Sequence, residues 1–273
     1  MTDQYAVVGN PIEHSKSPLI HAAFAAATGQ DLEYAKICAP LDDFAGCVEG
    51  FRLMGGKGLN VTVPFKLEAF RLATKLTERA RSAEAVNTLK FDGDEILGDN
   101  TDGEGLVQDI LGGCDFTIEG RRVLVLGAGG ATQGILLPLI AQRPAALMVV
   151  NRTAAKADAL KAHVVDHFAI DTGGFEAIEG REFDLVINAT SASLSATALP
   201  IAQDNFASGS LAYDLAYGNE ETVFMRQARV CGAAQVADGL GMLVGQAAES
   251  FYLWRGVRPQ TAAVIEQLRQ QQS

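Results

Sequence analysis

Lys66 and Asp102 are the two ionisable residues of this chain best placed to move a proton. Lys66 closes the run Asn60-Val-Thr-Val-Pro-Phe-Lys66, and Asp102 lies in Asp99-Asn-Thr-Asp-Gly103. Desolvation lowers a lysine pKa and a neighbouring carboxylate raises it. A Lys and Asp pair can therefore shuttle a proton near neutral pH, as a hydride-transfer enzyme acting on a carbonyl requires. Spacing alone does not show that the two meet, and a surface lysine with a turn aspartate is the alternative. A second constellation opens at Arg122-Val-Leu-Val-Leu-Gly127, a short apolar run that ends on Gly127-Ala-Gly-Gly-Ala-Thr-Gln-Gly134 and leads into the apolar stretch 135–140. Strand, glycine turn and helix N-terminus together make an anion site, because backbone N–H groups can approach a phosphate and the helix dipole attracts it. The spacing is not the strict dinucleotide fingerprint, since the sixth position is Thr132 and the later glycine is Gly134.

In the common nucleotide-binding design the second strand ends on a carboxylate that bonds the ribose hydroxyls. Here 146–150 runs into Asn151-Arg152-Thr153 without one, and Lys156 stands four residues beyond Arg152. A guanidinium fork, a hydroxyl and an ammonium suit a 2′-phosphate, which points to NADP over NAD. The alternative is a helix start merely solubilised by two cations, an arrangement its dipole disfavours. His163 and His167 fall at i,i+4 with no acidic or thiol ligand, so they read as a solvated helix face and no metal site is expected. His14 beside Ser15 and Ser17 lacks both an acidic orienter and a Gly-x-Ser-x-Gly elbow, which argues against a hydrolase.

The elements that must position these residues alternate. Residues 5–9 read as a strand, and Pro18 suits the first turn of the helix that follows, with Ser17 at its N-cap. Strands at 32–39 and 59–63 and helices at 41–54 and 65–74 come next, so Thr62 and Lys66 emerge at a strand's C-terminal end, where open α/β sheets bind ligands. Asp92-Gly-Asp94 turns a hairpin between 85–91 and 95–98, giving a mixed sheet. From Arg121 onward βα units repeat, with strands at 146–150, 183–188 and 211–215 and a helix at 154–168; helices at 239–254 and 261–269 end the chain. At 273 residues, two domains are the better expectation. A net charge of −11 argues against nucleic acid or an anionic membrane as partner. No apolar run approaches a bilayer span and the N-terminus lacks a signal-peptide pattern, so a cytoplasmic location is expected. Cys38, Cys47, Cys114 and Cys231 are scattered and read as reduced thiols.

Taken together, these stretches resemble the shikimate dehydrogenase family over essentially the whole chain. Gly9-Asn-Pro-Ile-Glu-His-Ser-Lys-Ser-Pro18 is similar to the family's opening, and the resemblance implies that Ser15 and Ser17 hold a substrate carboxylate. The stretch 60–66 is similar to its most specific motif, implying Thr62 on a substrate hydroxyl and Lys66 as acid/base. Segments 85–88 and 98–103 imply roles for Asn87 and for Asp102 as Lys66's catalytic partner. The turn Gly127, Ala128, Gly129, Gly130, Ala131 is similar to the family's own variant, with a departure at Thr132-Gln133, where many relatives have a basic residue. The resemblance further implies NADP contacts from Asn151, Arg152, Thr153, Lys156, Thr190, Leu215 and Gly239, and substrate contacts from Tyr217 and Gln246. It implies an α/β protein with a mixed-sheet substrate domain (1–103), a Rossmann-type doubly wound NADP domain (104–236) and C-terminal helices (237–273) returning to the first domain. The implied reaction is reversible, NADP-dependent reduction of 3-dehydroshikimate to shikimate by a monomer or homodimer. A paralogue using quinate or either nicotinamide cofactor, and a non-catalytic NADP-binding redox sensor, are the competing readings.

Overall fold

A computed structural model describes residues 2–193 and 197–271. Among them, twelve strands form two six-stranded sheets. The first contains β1 (Asp3–Gly9), β2 (Leu32–Cys38), β3 (Gly56–Val61), β4 (Lys75–Leu76), β5 (Thr88–Asp92) and β6 (Glu95–Asp99), in the order β2-β1-β3-β5-β6-β4. β1 runs parallel to β2 and β3, whereas β5 runs antiparallel to both β3 and β6, so the hairpin makes the sheet mixed. Helices α1 (Ser17–Thr28), α2 (Phe44–Leu53), α3 (Lys66–Leu72) and α4 (Glu78–Ala83) accompany this sheet. Ala6, Val8, Phe44, Val48, Leu59, Val61 and Phe65 share one buried cluster.

A bridging helix, α5 (Asp102–Gln108), leads into the second sheet. That sheet contains β7 (Arg122–Leu126), β8 (Ala146–Val150), β9 (Asp171–Gly173), β10 (Phe183–Asn188), β11 (Phe206–Asp214) and β12 (Gln235–Ala237). Its order is β12-β11-β10-β7-β8-β9 with every pairing parallel. Strand order reverses between β7 and β10, which makes the sheet doubly wound and sets its ligand crevice at that switch point. Helices α6 (Gly130–Ala141), α7 (Ala154–Ala159), α8 (Lys161–Val164) and α9 (Val223–Val230) belong to this half. The chain ends in α10 (Leu240–Arg255) and α11 (Ala262–Gln270), whose Leu240, Val244, Phe251, Val264 and Leu268 bury against Ile20 and Phe24 of α1. The C-terminal helices thus return to the first sheet's layer, as expected.

Several local expectations are corrected. Lys16, not Ser17, is the N-cap of α1; Ser17 already has a helical backbone, and Ser15 Oγ accepts its N–H at 3.3 Å. α2 begins at Phe44 because the Asp43 carboxylate caps it through the N–H of Gly46. The stretch 154–168 splits into α7 and α8, because the Leu160 N–H reaches back only to the Ala157 carbonyl, a tighter turn that keeps Leu160 and Val164 buried together. The solvated face expected of His163 and His167 holds for His167, which is exposed 3.7 Å from Glu78, but His163 is half-buried, its ring 3.2 Å from Gln133 Nε2 of α6 and its carbonyl accepting from Ser82 of α4. All four cysteines are free thiols. No helix among the described residues is long and apolar enough to cross a membrane.

His21 of α1 is fully buried, stacked on Tyr34 at 4.2 Å, and neither ring nitrogen has a hydrogen-bond partner. Burial pushes its pKa from the usual 6.5 to about 3, with Asn60, close by but outside hydrogen-bonding geometry, opposing the shift. The folded pKa is depressed, so folded protein binds fewer protons than unfolded chain between these values, and stability falls as pH drops through that window. His21→Phe keeps an aromatic stack and removes the titration. Its unfolding free energy relative to the parent should improve by about 2 kcal/mol between about pH 8 and about pH 5. Urea unfolding at both values checks this; an equal difference at the two pH values contradicts it.

Candidate active site

A cavity of about 380 Å³ opens between the two sheets. It is lined by Ser15, Ser17, Thr62, Lys66, Asn87, Asp102, Tyr217 and Gln246, which brings together every residue expected at the catalytic and substrate positions. Leu215 and Gly239, expected at the cofactor, line the same cavity.

Local structure explains the placement of the central pair. β3 ends at Val61, and Phe65, fully buried and stacked on Phe44 at 4.8 Å, pins the turn that carries Lys66 into the first position of α3. Asp102 occupies the first position of α5, a dipole-positive end that favours a carboxylate. Lys66 Nζ donates to Asp102 Oδ2 at 2.5 Å, with the two side chains 32% and 17% exposed, so the pair is reachable from the cleft yet shielded. Asn87 Nδ2 donates to the other carboxylate oxygen at 2.7 Å. Asn87 Oδ1 in turn accepts the Thr101 N–H at 2.9 Å, which fixes the amide's orientation.

Behind this pair lies a buried polar network that links elements far apart in sequence. Asn60 Nδ2 donates to Ser250 Oγ at 2.9 Å and to Thr88 Oγ1 at 3.1 Å, and Asn60 Oδ1 accepts from Tyr34 at 2.7 Å. Satisfied networks of this kind in a low-dielectric interior hold a single arrangement. Ser250 belongs to α10, so the C-terminal helix fixes the floor of the site. Asn60 also lines the cavity and was not singled out by sequence reasoning, although it begins the run that ends at Lys66. Lys16, Met242 and Leu243 were missed as well. Tyr217 is 38% exposed, and partial desolvation with Asp238 nearby shifts its hydroxyl pKa upward.

The glycine turn sits at the switch point. Gly127 has φ +110°, and a Cβ there would lie 3.0 Å from the Ala189 carbonyl oxygen on the crossing β10 loop, so this position requires glycine. Gly129 and Gly130 face open space at the N-terminus of α6, leaving backbone N–H groups free for a phosphate. Thr132 Oγ1 ties the turn together through the Gly127 carbonyl at 2.8 Å. Gln133, at the departure from the family pattern, donates to the Ser82 carbonyl at 3.3 Å and so joins α6 to α4. Asn151, Arg152, Thr153 and Lys156 follow β8 with no carboxylate among them, and Arg152 and Lys156 are exposed. Thr190 is held by Asn188 Oδ1, and the buried Asp214 carboxylate receives Asn188, Ser193 and Thr222, which anchors the loops after β10 and β11. Asp238 Oδ1 accepts the Leu240 N–H at 3.2 Å, and the carboxylate is gripped by the two terminal nitrogens of Arg269 at 2.5 and 2.7 Å, beside Gly239. This donor set fits a dinucleotide carrying a 2′-phosphate.

A doubly wound sheet with a glycine cradle, facing a lysine–carboxylate pair across a cleft, defines a nicotinamide-dependent oxidoreductase. Family models match along the chain: residues 7–89 the shikimate dehydrogenase substrate binding domain, 106–206 shikimate / quinate 5-dehydrogenase, and 239–269 the shikimate 5′-dehydrogenase C-terminal domain. The chain belongs to the shikimate dehydrogenase family. It is 57% identical over 98% of each chain to the shikimate dehydrogenase (NADP(+)) of Dechloromonas aromatica. Among solved structures it is similar to an Ael1 enzyme from Pseudomonas putida, with TM-score 0.93, 52% identity and 98% of each chain covered. It also resembles shikimate 5-dehydrogenase from Thermus thermophilus in complex with NADP(H) and shikimate, with TM-score 0.87, 29% identity and 100% of each chain covered.

Proposed function

We propose that this chain is an NADP-dependent shikimate dehydrogenase that reversibly reduces 3-dehydroshikimate to shikimate in aromatic amino acid biosynthesis. The observation that carries this reading is the 2.5 Å Lys66–Asp102 pair inside a cavity that also gathers Ser15, Ser17, Thr62, Asn87, Tyr217 and Gln246. Ser15 and Ser17 hold the ring carboxylate, and Thr62, Asn87, Tyr217 and Gln246 hold hydroxyls. Lys66 gives its proton to the developing alkoxide, while Asp102 orients both lysine and substrate. Bound NADPH supplies the hydride. Gly127, Ala128, Gly129, Gly130 and Ala131 cradle its phosphates, Asn151, Arg152, Thr153 and Lys156 hold the adenosine end, and Thr190, Leu215 and Gly239 wall the nicotinamide. In this division of labour 1–103 binds substrate, 104–236 binds cofactor, and 237–273 braces the first domain. The enzyme works in the cytoplasm as a monomer or homodimer on a small molecule, its charge of −11 disfavouring nucleic acid.

The test compares kcat/KM for shikimate and quinate with NADP+ and NAD+. Shikimate with NADP+ should be the best pair; a clear preference for quinate or NAD+ would favour the paralogue reading. Arg152→Ala should cost NADP binding about 1.5–3 kcal/mol, one to two decades in affinity, with little effect on NAD. An unchanged cofactor ratio would place the 2′-phosphate elsewhere.

A further inference from the structure

We propose that Lys16 sets the orientation of substrate in the cleft by supplying the uncompensated positive charge at its α1 end. This rests on the shikimate dehydrogenase reading above. The charged groups lining the cavity are Lys16, Lys66 and Asp102, with the ionisable His14 beside them. At the reacting end Lys66 is neutralised by Asp102 at 2.5 Å, so that end carries almost no net field. At the other end Lys16 stands between Ser15 and Ser17, and among the described residues its side chain has neither an ion pair nor a hydrogen bond to protein. The nearest carboxylate in sequence, Glu13, does not line the cavity; it accepts the Ile12 N–H and has Lys36 and His14 beside it. The cavity is therefore electrically polar, cationic at α1 and neutral at α3.

An anionic ring acid entering such a cavity seats its carboxylate by Lys16, which places the far side of the ring at Lys66. The reverse orientation sets that carboxylate at the neutral Lys66–Asp102 end, where no net positive charge compensates it, and is the less favourable of the two. Local charge matters here because the protein as a whole, at −11, repels an anion. Charge complementarity of this kind gives selectivity and approach rate, and salt screens it. Ser15 and Ser17 supply hydrogen bonds, which are stronger to a carboxylate than to its uncharged ester, and Lys16 adds the full charge that widens this difference.

The experiment compares shikimate with its methyl ester, using NADP+ at low and high ionic strength. In the parent enzyme the acid is preferred and its kcat/KM falls with salt. In Lys16→Met the acid-to-ester preference should drop about tenfold through KM, and the salt dependence should flatten; Lys16→Arg should restore both. A merely structural role for Lys16 would lower acid and ester turnover together and leave their ratio intact. Parental preference and salt slope in Lys16→Met would overturn the proposal while leaving the function standing. A parent enzyme that turns over neither compound would overturn the functional reading and this inference with it.

Discussion

Lys66→Met should lower kcat by about 10²–10⁴ with a smaller change in KM, because general acid/base help acts in the transition state whereas binding contacts act mainly through KM. Methionine keeps the apolar stem and removes the ammonium. Lys66 donates at 2.5 Å to a carboxylate whose other oxygen is fixed by Asn87, so the proton donor is held in one geometry before substrate arrives. Asp102→Asn should also slow turnover. The double variant should lose less than the sum of the two losses in log rate, since the residues act as a unit. Steady-state kinetics of the three variants check this. Near-normal kcat with only a raised KM in Lys66→Met would make the lysine a binding residue.

Arg79→Met should destabilise the fold by about 3–5 kcal/mol, the usual cost of stripping the partner from a buried charge. Asp99 is 1% exposed, and Arg79 holds it through Nε at 2.8 Å and Nη2 at 2.5 Å while also lying 3.3 Å from Glu249 of α10 and 3.8 Å from Glu104 of α5. Without the guanidinium, three carboxylates face one another, two of them, Asp99 and Glu249, buried. Adding Asp99→Asn should recover part of the loss, because it removes the orphaned charge. Urea denaturation of single and double variants measures this, and a loss below about 1 kcal/mol, the range of a surface ion pair, would contradict it.

Features set by neighbours in sequence were legible without coordinates. The strand, turn and helix around Gly127 are contiguous, and Thr62 and Lys66 are separated by a single turn, so backbone propensity and strand-end geometry were enough to find them. Asp102 was found by type, but that it meets Lys66 across 36 residues is a tertiary fact. The Asn60–Ser250 bond spans 190 residues and Arg79–Glu249 spans 170, and no local pattern announces either pairing. β4, β9 and β12 are two or three residues long and exist only because a neighbouring strand offers its edge. His167 is exposed as its spacing suggested, whereas His163 is half-buried because nothing in the sequence tells a helix that Gln133 of α6 and Ser82 of α4 lie opposite. Ser17 was misplaced by one position because a cap is defined by backbone angles, which serine alone does not dictate.

Shikimate oxidation is read directly by mixing the purified chain with shikimate and NADP+, following the absorbance of reduced nicotinamide, and identifying the organic product by mass spectrometry. One NADPH should form for each 3-dehydroshikimate. A folded protein that produces no NADPH, or NADPH without that ketone, would contradict it.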